Sequence, residues 1–126
     1  MTTQKIYTQY QESKEWTSNL AFYKDELKIM KTRLEEIISR NTSKEILAQA
    51  EHFQNQFIIQ KDQIDQINHI INLDNDKIHK EINKNGVAVD RRSIEDHTSL
   101  REQMKSFEHI YSSLKFDFNT FLSKWM

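Results

Sequence analysis

Apolar residues in this chain recur at alternating intervals of three and four along three long stretches. The first series runs through Trp16, Leu20, Tyr23, Leu27, Met30, Leu34 and Ile37. Two later series keep the same spacing, from Ile46 to Ile78 and from His97 to Trp125. Such spacing marks one face of a helix, and when it is sustained it marks a coiled-coil seam. The pattern therefore predicts three long amphipathic helices.

Turn-forming residues are almost missing, which removes most alternatives to helix. The 126 residues include one glycine, Gly86, and neither proline nor cysteine. Strands need frequent turns, and turns draw on glycine and proline. The chain is therefore expected to be all-α and, at this length, a single domain over residues 1–126. The lack of cysteine excludes disulfides and thiolate metal sites.

Two short corners divide the series. We predict helices over residues 4–40, 42–84 and 91–125, and a kink in the second helix would fall in LDND (73–76). Thr42 with Glu45 matches a capping box, and Asp90 or Ser93 is placed to cap the third helix. Short corners between long helices predict an elongated up-down-up antiparallel three-helix bundle with coiled-coil-like seams.

Gln60 is one of two polar residues in the second series. Folding the chain about residues 41–42 and about Gly86 places Gln60 level with Tyr23 and Tyr111. All three helices would then contribute a polar-tipped side chain at one height. Such a layer can hydrogen-bond internally and fix the register of a bundle, at a cost in stability.

Asp74 is the second polar residue of that series, and the same folding places it near Tyr10 and His97. Three interpretations stay open for these layers. In the first, they are hydrogen-bonded layers that set the register of the helices. In the second, Asp74 and His97 form a buried proton-transfer pair, since such pairs shift pKa values. In the third, this end of the bundle is open to water and the pair is exposed.

The segment DQIDQINH (62–69) groups Asp62, Asp65 and His69 on one helical face, where such side chains can hold a transition metal. At about 100° per residue, this face points roughly 160° away from the isoleucines of the seam. We therefore predict that the three side chains face solvent and form no metal site.

Several apolar residues fall outside the seams. Phe22 and Ile29 in the first helix, and Ile59 and Ile70 in the second, could form an additional apolar strip. Helical bundles dimerise or hold a partner helix through such strips. We expect a homo-oligomer or a protein partner.

Other function classes find little support in the sequence. Phosphate-binding loops and nucleophile elbows need more than one glycine. Di-iron bundles use Glu-x-x-His motifs, which are missing here. A net charge of −1 with interspersed signs argues against nucleic-acid binding, although Lys77, Lys80, Lys84, Arg91 and Arg92 crowd the second corner. No catalytic, cofactor or metal residues are assigned.

No stretch of the sequence is apolar enough for a membrane span or a signal peptide, so a cytoplasmic location and no membrane partner are expected. The run from Trp16 to Glu36, EHFQNQF (51–57) and FLSKWM (121–126) resemble small uncharacterised bacterial helical-bundle proteins. That resemblance implies a helical fold and no site. The sequence thus predicts a non-enzymatic scaffold or interaction module; the alternative is a bundle that binds a metal or a small ligand.

Overall fold

A computed structural model describes the backbone of residues 2–85 and 91–126 and the side chains of residues 7–80 and 95–126. The chain forms three helices: α1 (Thr2–Arg40), α2 (Lys44–Asn85) and α3 (Arg91–Trp125). The predicted all-α three-helix architecture is confirmed. Helix α2 continues through residues 73–76 without interruption, because burial of the seam residues outweighs the weak helix preference of aspartate and asparagine there.

The first corner is as short as predicted, although its capping differs. The amide of Leu47 donates to the carbonyl of Ser43 at 3.0 Å, so α2 begins after Ser43 rather than after Thr42. The Asn41 side chain donates to the carbonyl of Ile37 at 2.8 Å and satisfies an acceptor that the end of α1 leaves open. The proposed caps at Asp90 and Ser93 lie outside the described side chains.

Helix α2 runs antiparallel to both of its neighbours. Its early residue Phe57 meets the late α3 residue Phe118, with ring centroids 5.0 Å apart. Its late residue Asp74 meets the early α3 residue His97. On the other side, Lys24 of α1 reaches Asp65 at 2.8 Å. The two chain reversals bring α1 and α3 side by side in parallel.

The core follows the predicted seams closely. The buried apolar residues are Trp16, Leu20, Leu27, Met30, Leu34, Ile37, Ile46, Ala50, Phe53, Phe57, Ile64, Ile67, Ile71, Ile78, Leu100, Met104, Phe107, Tyr111, Leu114, Phe118 and Phe121. Only Tyr23 and Trp125 among the apolar seam residues are partly exposed. Each large side chain buried in this way stabilises the fold by about 1.5–3 kcal/mol before entropy is counted.

The register between α1 and α2 differs from the folding estimate. That estimate set Lys24 beside residue 59, whereas its ammonium contacts Asp65, more than one turn further along α2. Tyr10 likewise lies against His79, with ring centroids 5.8 Å apart, rather than beside Asp74 as predicted. The estimate assumed that the chain reverses at residues 41–42. The chain reverses later, because the non-helical corner extends to residue 43.

Across the described ranges, none of the three helices has an apolar stretch long enough to cross a bilayer.

Candidate functional site

A buried ionic network joins all three helices near one end of the bundle. His97 on α3 places Nδ1 2.6 Å from Oδ2 of Asp74 on α2. Its Nε2 lies 2.7 Å from Oε1 of Glu12 on α1. Arg101, one turn along α3, donates to both oxygens of Glu12 at 2.8 and 2.9 Å. The predicted meeting of Asp74 and His97 is therefore present, within a larger set of groups.

The charges in this network balance when His97 is protonated. Each ring nitrogen faces a carboxylate oxygen, and only the imidazolium can donate from both nitrogens. Burial alone would lower the pKa of His97, but the hydrogen bonds and charges of Asp74 and Glu12 outweigh burial and raise the pKa. The hydrogen bonds from Arg101 lower the pKa of Glu12 more than burial raises it.

The network is closed to solvent on the side of His97. The imidazole is 1 % exposed and Asp74 is 5 % exposed. Trp16 stacks on the imidazole with ring centroids 5.0 Å apart. With both nitrogens bonded and one face covered, His97 has no free lone pair for a metal or a substrate. Its position suits a role in holding the three helices in register.

A second polar group lies between α1 and α3. Tyr23 and Tyr111 pack with ring centroids 4.6 Å apart. Tyr23 donates its hydroxyl proton to Glu108, and Tyr111 donates to Oε1 of Glu26 at 2.8 Å. Burial and the neighbouring carboxylates raise the pKa of Tyr23 to about 12 and raise the pKa of Tyr111 as well. Both tyrosines are therefore neutral donors at ordinary pH.

Gln60 does not join the two tyrosines. It is 4 % exposed, at its predicted seam position. Within the described side chains, however, both tyrosine hydroxyls are bonded to carboxylates, and Gln60 makes no hydrogen bond to either. Gln60 instead lines a groove between α2 and α3 beside Phe107. The three predicted residues therefore do not form one layer. The two tyrosines pack together and bond to glutamates, and the amide of Gln60 is buried separately.

The sequence interpretation missed the charged partners of these layers. Glu12 and Glu26 are two heptads apart on α1, and each directly precedes a seam position. Arg101, Glu108 and Lys115 follow one another at heptad intervals on α3. Charges that flank a seam at heptad spacing form bonds between helices. That spacing is the signal that could have identified them.

Further buried polar atoms lie on α1 within one turn of Glu12. Gln9 and Ser13 occupy seam positions preceding Trp16 and are 6 % and 0 % exposed. Oε1 of Gln9 and Oγ of Ser13 have no protein hydrogen-bond partner among the described residues. The first seam therefore becomes polar towards the N-terminal end of α1, where the sequence interpretation assigned no site.

The segment DQIDQINH faces outward, as predicted. Asp62, Asp65 and His69 are all exposed. Asp65 contacts Lys24 at 2.8 Å and Lys61 at 3.8 Å, and the hydrogen bond from Lys24 lowers the pKa of its carboxyl group. In the parts of the chain that the structure describes, no group of three histidine, aspartate or glutamate side chains is arranged to hold a metal ion.

The four apolar residues predicted to form one strip are divided between two places. Phe22 and Ile29, 58 % and 62 % exposed, lie on α1. Ile59, 46 % exposed, lines a groove of about 510 Å³ between α2 and α3. Ile70 lies further along the same side of α2 and is partly buried against the core. Ile59 and Ile70 thus share a surface that excludes the α1 residues.

The basic corner is described only in part. Lys77 forms an ion pair with Asp96 at 2.9 Å, and Lys80 is exposed. The side chains of Lys84, Arg91 and Arg92 lie outside the described residues.

Comparisons with protein-family models, with curated proteins and with solved structures found no match to this chain.

Proposed function

We propose that this protein is a non-enzymatic interaction module that self-associates through the groove between α2 and α3, here called the α2–α3 groove. The observation that carries this proposal is a row of apolar side chains along the groove, namely Ile59, Ile70, Leu73 and Ile110. Three of them are about half exposed: Ile59 at 46 %, Leu73 at 49 % and Ile110 at 52 %.

The row is long enough to receive another helix. Ile59 and Leu73 are fourteen residues apart on α2, which corresponds to about 21 Å of helix axis. The floor between them is formed by core residues such as Ile67 and Phe107. A helix laid along the groove would therefore bury the exposed isoleucines against an existing hydrophobic surface.

The rim of the groove is largely uncharged around Ile59, while at its Leu73 end Lys77 and Asp96 pair with each other at 2.9 Å. Its polar side chains around Ile59 are those of Gln63, Ser99, Gln103 and Ser106, and among the described residues Glu102 is the one charged residue lining that part. Interface centres are depleted of charged residues relative to the rest of a protein surface. The part around Ile59 therefore suits contact with a second copy across a twofold axis, because few like charges would meet there.

A non-enzymatic role is supported by the state of the imidazole in the ionic network. His97 is the buried histidine of the bundle, and both its nitrogens are bonded to carboxylates. A general base must reach the proton that it abstracts. Asp74, Glu12 and Trp16 occupy that space, which favours a structural role.

The experiment is sedimentation velocity over a range of protein concentrations. The wild-type chain should show a concentration-dependent dimer, and the double variant Ile59→Ser/Ile110→Ser should sediment as a monomer. The matched control is Ile29→Ser/Phe116→Ser. These two residues are 62 % and 72 % exposed, so the control removes the same kind of apolar surface, but outside the α2–α3 groove. This control should dimerise like the wild type.

Two results would overturn the proposal. One is a wild-type monomer at all concentrations. The other is equal dimerisation of the wild type and the groove variant, which would place the contact elsewhere. Circular dichroism of each variant verifies that it keeps its helices.

A further inference from the structure

A second groove, between α1 and α2, differs in charge from the α2–α3 groove. Four lysines surround it: Lys24, Lys28 and Lys31 from α1, and Lys61 from α2. It encloses about 400 Å³, and none of the described side chains that line it is acidic. We call it the lysine groove. The sequence interpretation placed its basic cluster at the second corner and did not identify this one.

The positive charge of the lysine groove is only partly neutralised. Lys24 and Lys61 share one carboxylate, that of Asp65, at 2.8 and 3.8 Å. Lys28 and Lys31 form no ion pair with any side chain in the described part of the bundle. Among the described side chains, Asp65 is thus the carboxylate that pairs with the lysines lining the groove, and two of the four ammonium groups remain without an ion pair.

Between the lysines the groove is apolar. Ile58 is 60 % exposed at its centre. The core residues Leu27 and Phe57, 4 % and 5 % exposed, form the floor beneath it. A solvent-exposed isoleucine over an apolar floor, with cations on both walls, is complementary to a ligand that has an apolar centre and anionic edges.

We propose that the lysine groove binds an amphipathic helix of a partner protein, with glutamate and aspartate on both sides of its apolar face. The two walls are helices, and a third helix fits the concave surface between them while satisfying its own backbone hydrogen bonds. Leucine or isoleucine side chains of the partner pack on Ile58 and Phe57. Its carboxylates pair with Lys28 and Lys31 from one wall and with Lys61 from the other.

The concave shape favours a helix over an anionic lipid surface. Membrane-surface binding presents apolar side chains outward, with basic residues beside them, to a broad interface. Here the apolar floor lies between the helices and the lysines stand around it. A narrow, elongated ligand reaches both at once, whereas a flat bilayer reaches only the rim.

The test uses a fluorescein-labelled synthetic helical peptide of about 18 residues, roughly 27 Å long. It carries leucines at a and d positions and glutamates on both flanks. A second peptide has glutamine in place of each glutamate. Fluorescence anisotropy should show saturable binding of the glutamate peptide, weakening with added salt, and binding of the glutamine peptide weaker by at least about tenfold, the factor that corresponds to 1.4 kcal/mol.

The variant Lys28→Glu/Lys31→Glu should weaken binding of the glutamate peptide by at least about tenfold. The control Lys80→Glu/Lys105→Glu makes the same change in net charge at exposed lysines outside the groove and should bind like the wild type. Ile58→Ser should weaken binding of both peptides, because both use the apolar floor. The dimer variant Ile59→Ser/Ile110→Ser should bind the glutamate peptide normally, so this test stands apart from that of self-association.

Three outcomes would overturn the proposal: no saturable binding of the glutamate peptide, equal weakening by the groove and control lysine variants, or binding to phosphatidylglycerol vesicles without binding to the peptide. The last outcome would assign the lysines to a lipid surface.

Discussion

Nδ1 of His97 lies 2.6 Å from Oδ2 of Asp74, and the two side chains are 1 % and 5 % exposed. This contact joins α2 to α3, and the other ring nitrogen of His97 joins α3 to Glu12 on α1. One imidazole therefore connects all three helices. Since buried charges are tolerated only when they are paired, each member of this network depends on the others.

Replacing His97 with leucine should destabilise the protein strongly. The substitution leaves the carboxylate of Asp74 buried without its partner, and breaking a buried ion pair from one side costs about 3–5 kcal/mol. Chemical denaturation at neutral pH, followed by circular dichroism, measures the free energy of unfolding.

The double variant Asp74→Leu/His97→Leu should regain most of that loss, because two apolar side chains replace both charges and Glu12 keeps its bonds to Arg101. His109→Leu, at an exposed position of α3, serves as the control and should stay within about 0.5 kcal/mol of the wild type. A double variant no more stable than His97→Leu would contradict the ion-pair explanation.

The same network predicts a maximum in stability at mildly acidic pH. The pKa of His97 is raised in the folded state, so its contribution is complete below its ordinary value of 6.5 and is lost as pH rises through the folded pKa. The pKa of Glu12 is lowered from 4.5, so its contribution is complete above that value and is lost as pH falls through the folded pKa. The network therefore stabilises most between about pH 4.5 and 6.5.

Urea denaturation across pH 4–9 measures this dependence. The wild type should lose stability above about pH 6.5, whereas His97→Gln should lose much less over the same interval. His109→Gln should retain the wild-type decline. An identical decline in wild type and His97→Gln would show that other groups cause it.

Only part of the His97 network could be predicted from the sequence. Asp74 and His97 both occupy seam positions, and Gly86 marks the corner between their helices, so their meeting followed from heptad spacing and a fold-back point. Glu12 and Arg101 lie beside the seam, where most charged residues are simply solvated, and they acquire partners only when α1 and α3 are known to be parallel neighbours.

The layer predicted around Gln60 shows where heptad spacing and a fold-back point fail to predict contacts. Its predicted height depended on the position of the chain reversal at the first corner. The contact of Lys24 with Asp65 shows that the predicted pairing of α1 with α2 was wrong by more than one turn. The identity of the hydroxyl acceptors also depends on side-chain reach. Glu26 and Glu108 extend across the α1–α3 contact to Tyr111 and Tyr23, and spacing along one helix cannot reveal this.

Replacing Tyr111 with phenylalanine should cost about 1.5 kcal/mol, the lower end for a hydrogen bond to a charged group. The hydroxyl donates to Glu26, while Lys115 continues to pair with that carboxylate and limits the loss. The control is Tyr7→Phe, because Tyr7 is 63 % exposed. Thermal and urea denaturation of the two variants should differ clearly, and equal stabilities would show that the Glu26 bond contributes nothing net.

Gln60 gives the opposite expectation, because its amide is buried at a seam position and bonds to neither tyrosine in the described structure. Gln60→Leu replaces a polar side chain with an apolar one beside Ile64 and Phe57, and should raise the free energy of unfolding by about 1 kcal/mol. The control Gln66→Leu, at an exposed position of α2, should leave the free energy of unfolding within about 0.5 kcal/mol of the wild type.

Denaturation and sedimentation should be measured together, because a single buried amide can fix the register of helices at the expense of stability. A loss of stability, or a changed oligomeric state in Gln60→Leu alone, would show that the amide specifies the packing of this layer.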